Sequence, residues 1–252
     1  MARTAKVKTD AKTAVTSVKK NLPVNYEAEM AKEAAEIASR IGAPGGDTIQ
    51  VTQDKLFKFP DGTETPGPFD AVIVDFVSGN FFYEGKFDKK NITPPSCFAL
   101  GTDPKNMVPS SSSPDRQAVD CNVCPNNLFG SDGAGKACKN TRILALLPPD
   151  ATEETPLWIL KVSPTGLKSF DAYVSKIASA FNSGPVKVIS AIGFDPNQEY
   201  PTVRLGQPKP NPDVGVFFGR REEARKRLLT EPDVTQMDKP KASKSKILRR
   251  SA

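Results

Sequence analysis

The run Thr141–Phe181, TRILALLPPDATEETPLWILKVSPTGLKSFDAYVSKIASAF, decides the fold. It opens with two short apolar segments, Thr141–Leu147 and Leu157–Val162, joined by an acidic, proline-bearing turn at 148–156. Runs of that length between turn residues read as strands. Ser163-Pro164 then offers a helix start, an N-cap hydroxyl followed by a proline in the first turn. Phe170, Tyr173, Val174, Ile177, Ala178 and Phe181 recur at helical spacing, so the helix lays one apolar face on the strands. That stripe reads as core packing.

The same pattern continues on both sides. Upstream, Asp70–Val77 (DAVIVDFV) is a buried strand. Ser78-Gly79-Asn80 reads as a tight turn, with Asn80–Phe87 returning as the hairpin partner. Thr48–Phe59 has strand character before the breaks at Pro60-Asp61-Gly62 and Pro66-Gly67-Pro68. Tyr26–Ile41 reads as a helix rich in Ala and Glu, stopped by Gly42 and Pro44-Gly45-Gly46. Downstream, Gly184-Pro185 ends the central helix. Val186–Phe194, Thr202–Leu205 and Val214–Phe218 read as strands, and Arg220–Leu229 as a short charged helix. No internal repeat is visible. Many short strands around one good helix predict a mainly β chain with few helices: a small, OB-like barrel carrying an insertion, with flanking helices. The expected organisation is a basic arm at 1–22, a body at 23–212 with the insertion at about 95–140, and a short helix and basic tail at 213–252.

All four cysteines lie inside that insertion, spaced Cys97-x23-Cys121-x2-Cys124-x13-Cys138. Two residues between Cys121 and Cys124 let both sulfurs reach one tetrahedral ion. Gly130, Gly133 and Gly135 allow the turns that bring Cys138 back. The expected cofactor is one structural zinc held by Cys97, Cys121, Cys124 and Cys138, with Lys136 and Lys139 offsetting part of the thiolate charge. An iron–sulfur cluster, two disulfides, a redox pair and free thiols remain as alternatives. Disulfides fit poorly in an intracellular chain. Four thiolates would leave no open position for catalysis.

Composition narrows the functions. The 252 residues contain no histidine, which excludes a Ser-His-Asp triad, a Cys-His dyad and imidazole metal ligands. The net charge of +6 is uneven. Residues 1–20 carry six basic side chains against Asp10, and residues 236–252 carry six against Asp238, so each end is +5 and the stretch between them −4. Basic ends suit a polyanion. Met1–Lys20 lacks an apolar core region, and no stretch approaches the ~18 apolar residues of a membrane helix, so an intracellular, cytoplasmic protein with no membrane contact is expected.

Single-strand binding needs cations for phosphates and aromatic faces for bases. The candidates are Phe81, Phe82, Tyr83 and Phe87 with Lys86, Lys89 and Lys90; Phe129 with Lys136, Lys139 and Arg142; and Trp158 with Lys161. Strand alternation puts Phe81 and Tyr83 on one face and Phe82 on the other, so one set should be core. Gly130-Ser131-Asp132-Gly133-Ala134-Gly135-Lys136 has the look of a phosphate loop but follows no strand. Asp70 and Asp75 could hold magnesium, yet their odd spacing predicts opposite faces.

The string Pro95-Ser96-Cys97, Cys121-Asn122-Val123-Cys124-Pro125, Gly130-Ser131 and Gly135-Lys136-Ala137-Cys138-Lys139 resembles small zinc-bearing proteins of tailed bacteriophages. The following strand and Ser169-Phe170-Asp171-Ala172-Tyr173 extend the likeness, which covers about 45–205, with its specific motifs within about 95–175. It implies single-stranded DNA binding in phage replication, in the host cytoplasm, with replication proteins as further partners. A looser likeness is to the zinc-containing OB domains of replication protein A. The basic C-terminus departs from the acidic, partner-recruiting tail of many bacterial single-strand binding proteins. A zinc-ribbon adaptor and a magnesium-dependent nuclease are the competing expectations.

Overall fold

The computed structural model describes residues 47–85 and 93–235, together with Tyr26, Glu29, Met30 and Glu33. The chain divides into two units, Met1–Gly42 and Ala43–Ala252. In the first, the four described residues are helical and exposed, and the rest of the expected helix lies outside the described residues.

The second unit is mainly β. Its strands are β1 (Thr48–Val51), β2 (Phe57–Lys58), β3 (Glu64–Thr65), β4 (Phe69–Phe82), β5 (Cys97–Gly101), β6 (Lys139–Leu147), β7 (Trp158–Val162), β8 (Val188–Phe194), β9 (Val203–Leu205) and β10 (Lys209–Pro210). The described helices there are α1 (Leu167–Phe181), α2 (Val214–Gly219) and α3 (Arg221–Leu228), with three short 3-10 turns. The sheet runs β10-β8-β4-β6-β7-β1-β2-β3, with β5 added to β4 and β9 to β8. Its pairs are antiparallel except β1 with β7.

The sheet curls into a half-barrel whose ends meet through side chains. Phe57 of β2 stacks on Phe194 of β8 at 4.2 Å and 12°. Phe69 meets both Phe57 and Phe59 edge-on at 5.0 Å. The concave face holds Ile73, Leu144, Leu146, Leu160, Val188 and Ile192, and α1 plugs it with Phe170, Tyr173 and Ile177. Tyr173 turns its hydroxyl to Ser190 Oγ at 2.8 Å, so its polar end is satisfied inside. Burying a side chain such as Phe170 contributes about 1.5–3 kcal/mol. The helix stops at Asn182, which adopts the left-handed conformation (φ 46°) two residues before Gly184-Pro185.

The opposite face is also covered. Val72, Val74, Val77, Phe81, Phe98, Ile143 and Ile159 pack with Phe217, Ala224 and Leu228 of α2 and α3. Central strands buried on both faces need no alternation, which is why DAVIVDFV and TRILALL read as continuous apolar runs. Val214–Gly219 is therefore a helix and not the expected strand. Its Phe217 is buried while Phe218 stays exposed, a helical split of neighbours. Residues 214–228 belong with the body, ahead of the tail.

A second difference concerns Ser78-Gly79-Asn80. These residues do not turn; β4 runs unbroken for 14 residues through them. Gly79 is required there for space. A Cβ would lie 2.6 Å from Phe81 Cε2 and 3.0 Å from Thr141 Oγ1. A bulge between Ile73 and Asp75 shifts the alternation by one residue. It turns Asp75 to the side of Val74, under α3, where it meets Arg225. Asp70 and Asp75 thus share a face, contrary to the simple odd–even reading.

Candidate metal centre and nucleic-acid interface

Two of the cysteines stand at the starts of β5 and β6 and two on the loop between those strands. Cys97 opens β5, directly opposite Phe82 of β4. Cys138 immediately precedes β6, and its N–H donates to the Asn126 carbonyl at 2.8 Å. Cys121 is tied to the Met107 carbonyl at 3.1 Å. Cys124 leads into the 3-10 turn Pro125–Asn127, closed by Asn127 N–H on the Cys124 carbonyl at 2.9 Å. All four thiols are buried and unbridged, and all four line one cavity of about 10 Å³ with Asn80, Phe82 and Asn127.

Their electrostatics show the cost of that gathering. Burial pushes the Cys138 thiol up to about 12, and charge on Cys121, Cys124 and Cys97 would push it the same way, against a smaller opposing pull from Lys136. Burial also raises Cys121, against a smaller opposing pull from the Asn80 side chain beside it. A cation among the sulfurs would reverse this, since a coordinated thiol gives up its proton. Among the described residues, no three Cys, Asp or Glu side chains already stand in an arrangement that holds an ion. Coordination would have to draw the sulfurs inward. The donors themselves suit a soft or borderline metal: four thiols, dry, in one cavity.

The expected nucleic-acid residues separate into groups. Phe81 is core, 5% exposed, and Phe82 is half-buried against the cysteine cavity. Tyr83 lies just past the strand end and is 41% exposed, with local crowding raising its phenol pKa. Neither face of the pair-and-single arrangement is wholly open. Lys86, Phe87, Lys89 and Lys90 lie outside the described residues. Phe129 is 83% exposed on the cysteine loop, with the Lys136 ammonium 5.0 Å from its ring centre. Lys139 donates to Asp132 at 2.8 Å.

Arg142 is buried, and its guanidinium grips Asp171 of α1 through two bonds, Nε to Oδ1 at 3.1 Å and Nη2 to Oδ2 at 2.9 Å. It fastens the helix to β6. Trp158 is half-buried and packs edge-on to Phe59 at 5.0 Å. Lys161 lies 5.3 Å from the Phe81 ring centre. Its side chain has an open flank, yet crowding beneath α3 costs it hydration and lowers its pKa.

Two features went unread in the sequence. Asn80, Asn127 and Asn140 form a chain of amides beside the cysteines. The signal was there: an asparagine in the middle of an apolar strand needs a buried partner. Val119, Val123 and Leu128 join Phe129 as exposed apolar side chains on the cysteine loop. Asp70 is bound to Lys209 at 2.7 Å and Asp75 to Arg225 at 3.0 Å, so each carboxylate of the candidate magnesium pair already has a cation. Comparison of the chain with protein-family models, curated proteins and solved structures finds no match.

Proposed function

We propose that this chain is a non-catalytic single-stranded DNA-binding protein, built on an OB-like barrel and stiffened by one structural zinc on Cys97, Cys121, Cys124 and Cys138. Three features support the barrel reading. The path β9-β8-β4-β6-β7 follows the order of an OB barrel, with β4 as first strand. Helix α1 falls between the third and fourth of those strands. Side-chain packing joins the open ends. The observation that carries the functional reading is the place of the cysteine loop. It fills the connection between the first two barrel strands, one of the loops through which OB folds hold oligonucleotides. That loop presents Phe129 with Lys136 beside it, and Tyr83 stands at its start.

In this reading bases stack on exposed aromatic rings, and lysines contact phosphates. The zinc does no chemistry; it holds the loop's shape. The role is in phage DNA replication or recombination, as the resemblance of the cysteine segment implies. Labelled poly-dT titrated with the protein should bind more tightly than duplex, and raising salt from 50 to 200 mM should weaken it by about tenfold or more. Salt-independent affinity, or equal affinity for duplex, would sink the proposal. Zinc content is checked separately: metal analysis should find one ion per chain, and chelation should lower thermal stability.

One observation favours a second reading. Val119, Val123, Leu128 and Phe129 put four exposed apolar side chains on one loop, which suits an adaptor that docks its cysteine knuckle on a protein. An adaptor would not bind free poly-dT. The candidate carboxylates of the nuclease reading, Asp70 and Asp75, are ion-paired with Lys209 and Arg225.

A further inference from the structure

A cleft of about 470 Å³ opens beside β8 and β9, with Ala191, Gly193 and Gly206 in its lining together with Lys55 and Arg204. Its size falls in the ~300–1,000 Å³ range of small-molecule sites. The floor follows from strand register. Gly193 of β8 pairs with Arg204 of β9, and Ile192 with Leu205. Ile192 and Leu205 point into the core, so Gly193 and Arg204 share the outer face. Gly206 continues the ladder, its N–H donating to the Ala191 carbonyl at 2.7 Å. Glycine inside a strand weakens it and often marks a place where a ligand or another backbone comes close. Packing does not compel it here. A Cβ on Gly193 would meet Pro68 Cβ at an ordinary 3.4 Å, and one on Gly206 would meet Ala191 Cβ at 3.3 Å, a slight crowding. What the glycines keep is an unobstructed apolar floor.

Two cations line the same cleft. Lys55 turns the chain between β1 and β2 in the left-handed conformation (φ 56°), which glycine or asparagine usually supplies. The turn gains its side chain: Lys55 Nζ donates to the Gln198 carbonyl on the 195–202 loop at 2.5 Å, using one of an ammonium's three N–H groups. Arg204 Nη1 stands 3.8 Å from Asp195 Oδ1, too far for a hydrogen bond, and that oxygen already accepts from the Asn197 N–H at 3.0 Å. The guanidinium donors are therefore not engaged by Asp195. Asp54 adds one exposed carboxylate acceptor to the lining. An inorganic anion has no use for the apolar floor, and a hydrocarbon has none for the cations. A nucleotide unit uses both, with a flat base on the small residues, a phosphate on the cations and a base N–H for Asp54.

We propose that this cleft binds one nucleotide unit, its base lying on Ala191, Gly193 and Gly206 and its phosphate held by Lys55 and Arg204. For a DNA strand as the source of that unit, it rests on the single-strand reading above, and it adds a subsite that no residue of the cysteine loop lines. The probes are labelled poly-dT and thymidine monophosphate, each with the full chain. Lys55→Gly suits the left-handed turn, and Arg204→Gln changes an exposed side chain, so both variants should fold. Each should weaken poly-dT binding and reduce its log–log salt slope by about one. Gly193→Leu fills the floor without changing charge; it should weaken binding about fivefold or more and leave the thermal midpoint in place. Gly193→Ala, whose Cβ has room, serves if the leucine variant does not fold. Lys58→Gln is the control: it removes a cation paired with Glu64 outside the cleft, and affinity and slope should stay near wild type.

Amide NMR identifies the source. Gly193 and Gly206 signals that shift with thymidine monophosphate show that the cleft takes a free nucleotide, and signals that shift with poly-dT alone make it a stop on the path of a strand. The proposal is overturned if neither probe moves them. It is also overturned if the wild-type chain binds poly-dT and the cleft variants match it in affinity and slope, or if Lys58→Gln weakens binding as much as Lys55→Gly does. If poly-dT does not bind and thymidine monophosphate still shifts Gly193, the single-strand reading falls and the nucleotide cleft stands.

Discussion

Phe129 and Gly79 mark two kinds of consequential residue. Phe129 is 83% exposed, so it adds little to the fold. If bases stack on it, Phe129→Ala should weaken poly-dT binding by about 1–3 kcal/mol, the usual worth of one stacked base. The thermal midpoint should stay put. A variant that binds as tightly as wild type would move the stacking site elsewhere, Tyr83 being the next choice. Gly79→Ala should do the opposite. The added methyl meets a Phe81 ring that is itself buried and has little room to swing. Overpacking of this kind costs about 1–3 kcal/mol, read as a lower denaturant midpoint. Arg142 shows why a basic residue beside an aromatic is a poor guide on its own. Its two bonds to Asp171 make it a bracket between strand and helix. A one-dimensional reading cannot see a partner 29 residues away.

At the scale of elements, α2 and α3 are the least legible part of the sequence and among the most consequential. VGVFF carries β-branched and aromatic residues, so its local preference is for a strand. Its helix is selected by burial: Phe217 enters the sheet face, and the next turns send in Ala224 and Leu228. Arg225 then closes on Asp75, a residue the bulge has turned toward it. Leu228 is 2% exposed, and Leu228→Ala should cost about 2–5 kcal/mol in equilibrium unfolding. A loss below ~1 kcal/mol would mean the helix pair is a loose cover. Other elements were plain from sequence because local and tertiary demands agree there. The strands β6 and β7 and the face of α1 follow from apolar runs and helical spacing. The turn expected at Ser78-Gly79-Asn80 failed because a residue that permits a turn does not compel one. Glycine was needed for clearance and asparagine for the amide chain.

Over the whole molecule, charge is distributed in two layers. Many body cations are paired with carboxylates: Lys58 with Glu64, Lys209 with Asp70, Arg225 with Asp75, Arg227 with Asp47, Arg142 with Asp171. The ends, at +5 each, hold the surplus. Deleting residues 1–20 and 236–252 should therefore flatten the salt dependence of poly-dT binding, while the body keeps its preference for single strands over duplex. If the shortened chain loses that preference as well, the arms are the binding site and the barrel only carries them. The candidate site was legible to a similar degree. The four cysteines were found by spacing alone and do share one cavity. The amides of Asn80, Asn127 and Asn140 were not, because they meet only once β4 and β6 lie side by side.

The long strand β4 has a consequence in time. It pairs with β6 and β8, whose residues follow it by up to 123 positions, as in Phe69 with Ile192. A chain emerging from a ribosome at ~5–20 residues per second leaves that strand waiting roughly 6–25 s for its last neighbour. Until β6 and then β8 emerge, one of the most apolar stretches of the protein has unsatisfied edges and uncovered faces. The speed of synthesis between Phe69 and Ile192 then sets how long that strand is exposed to misassociation before the sheet can close over it.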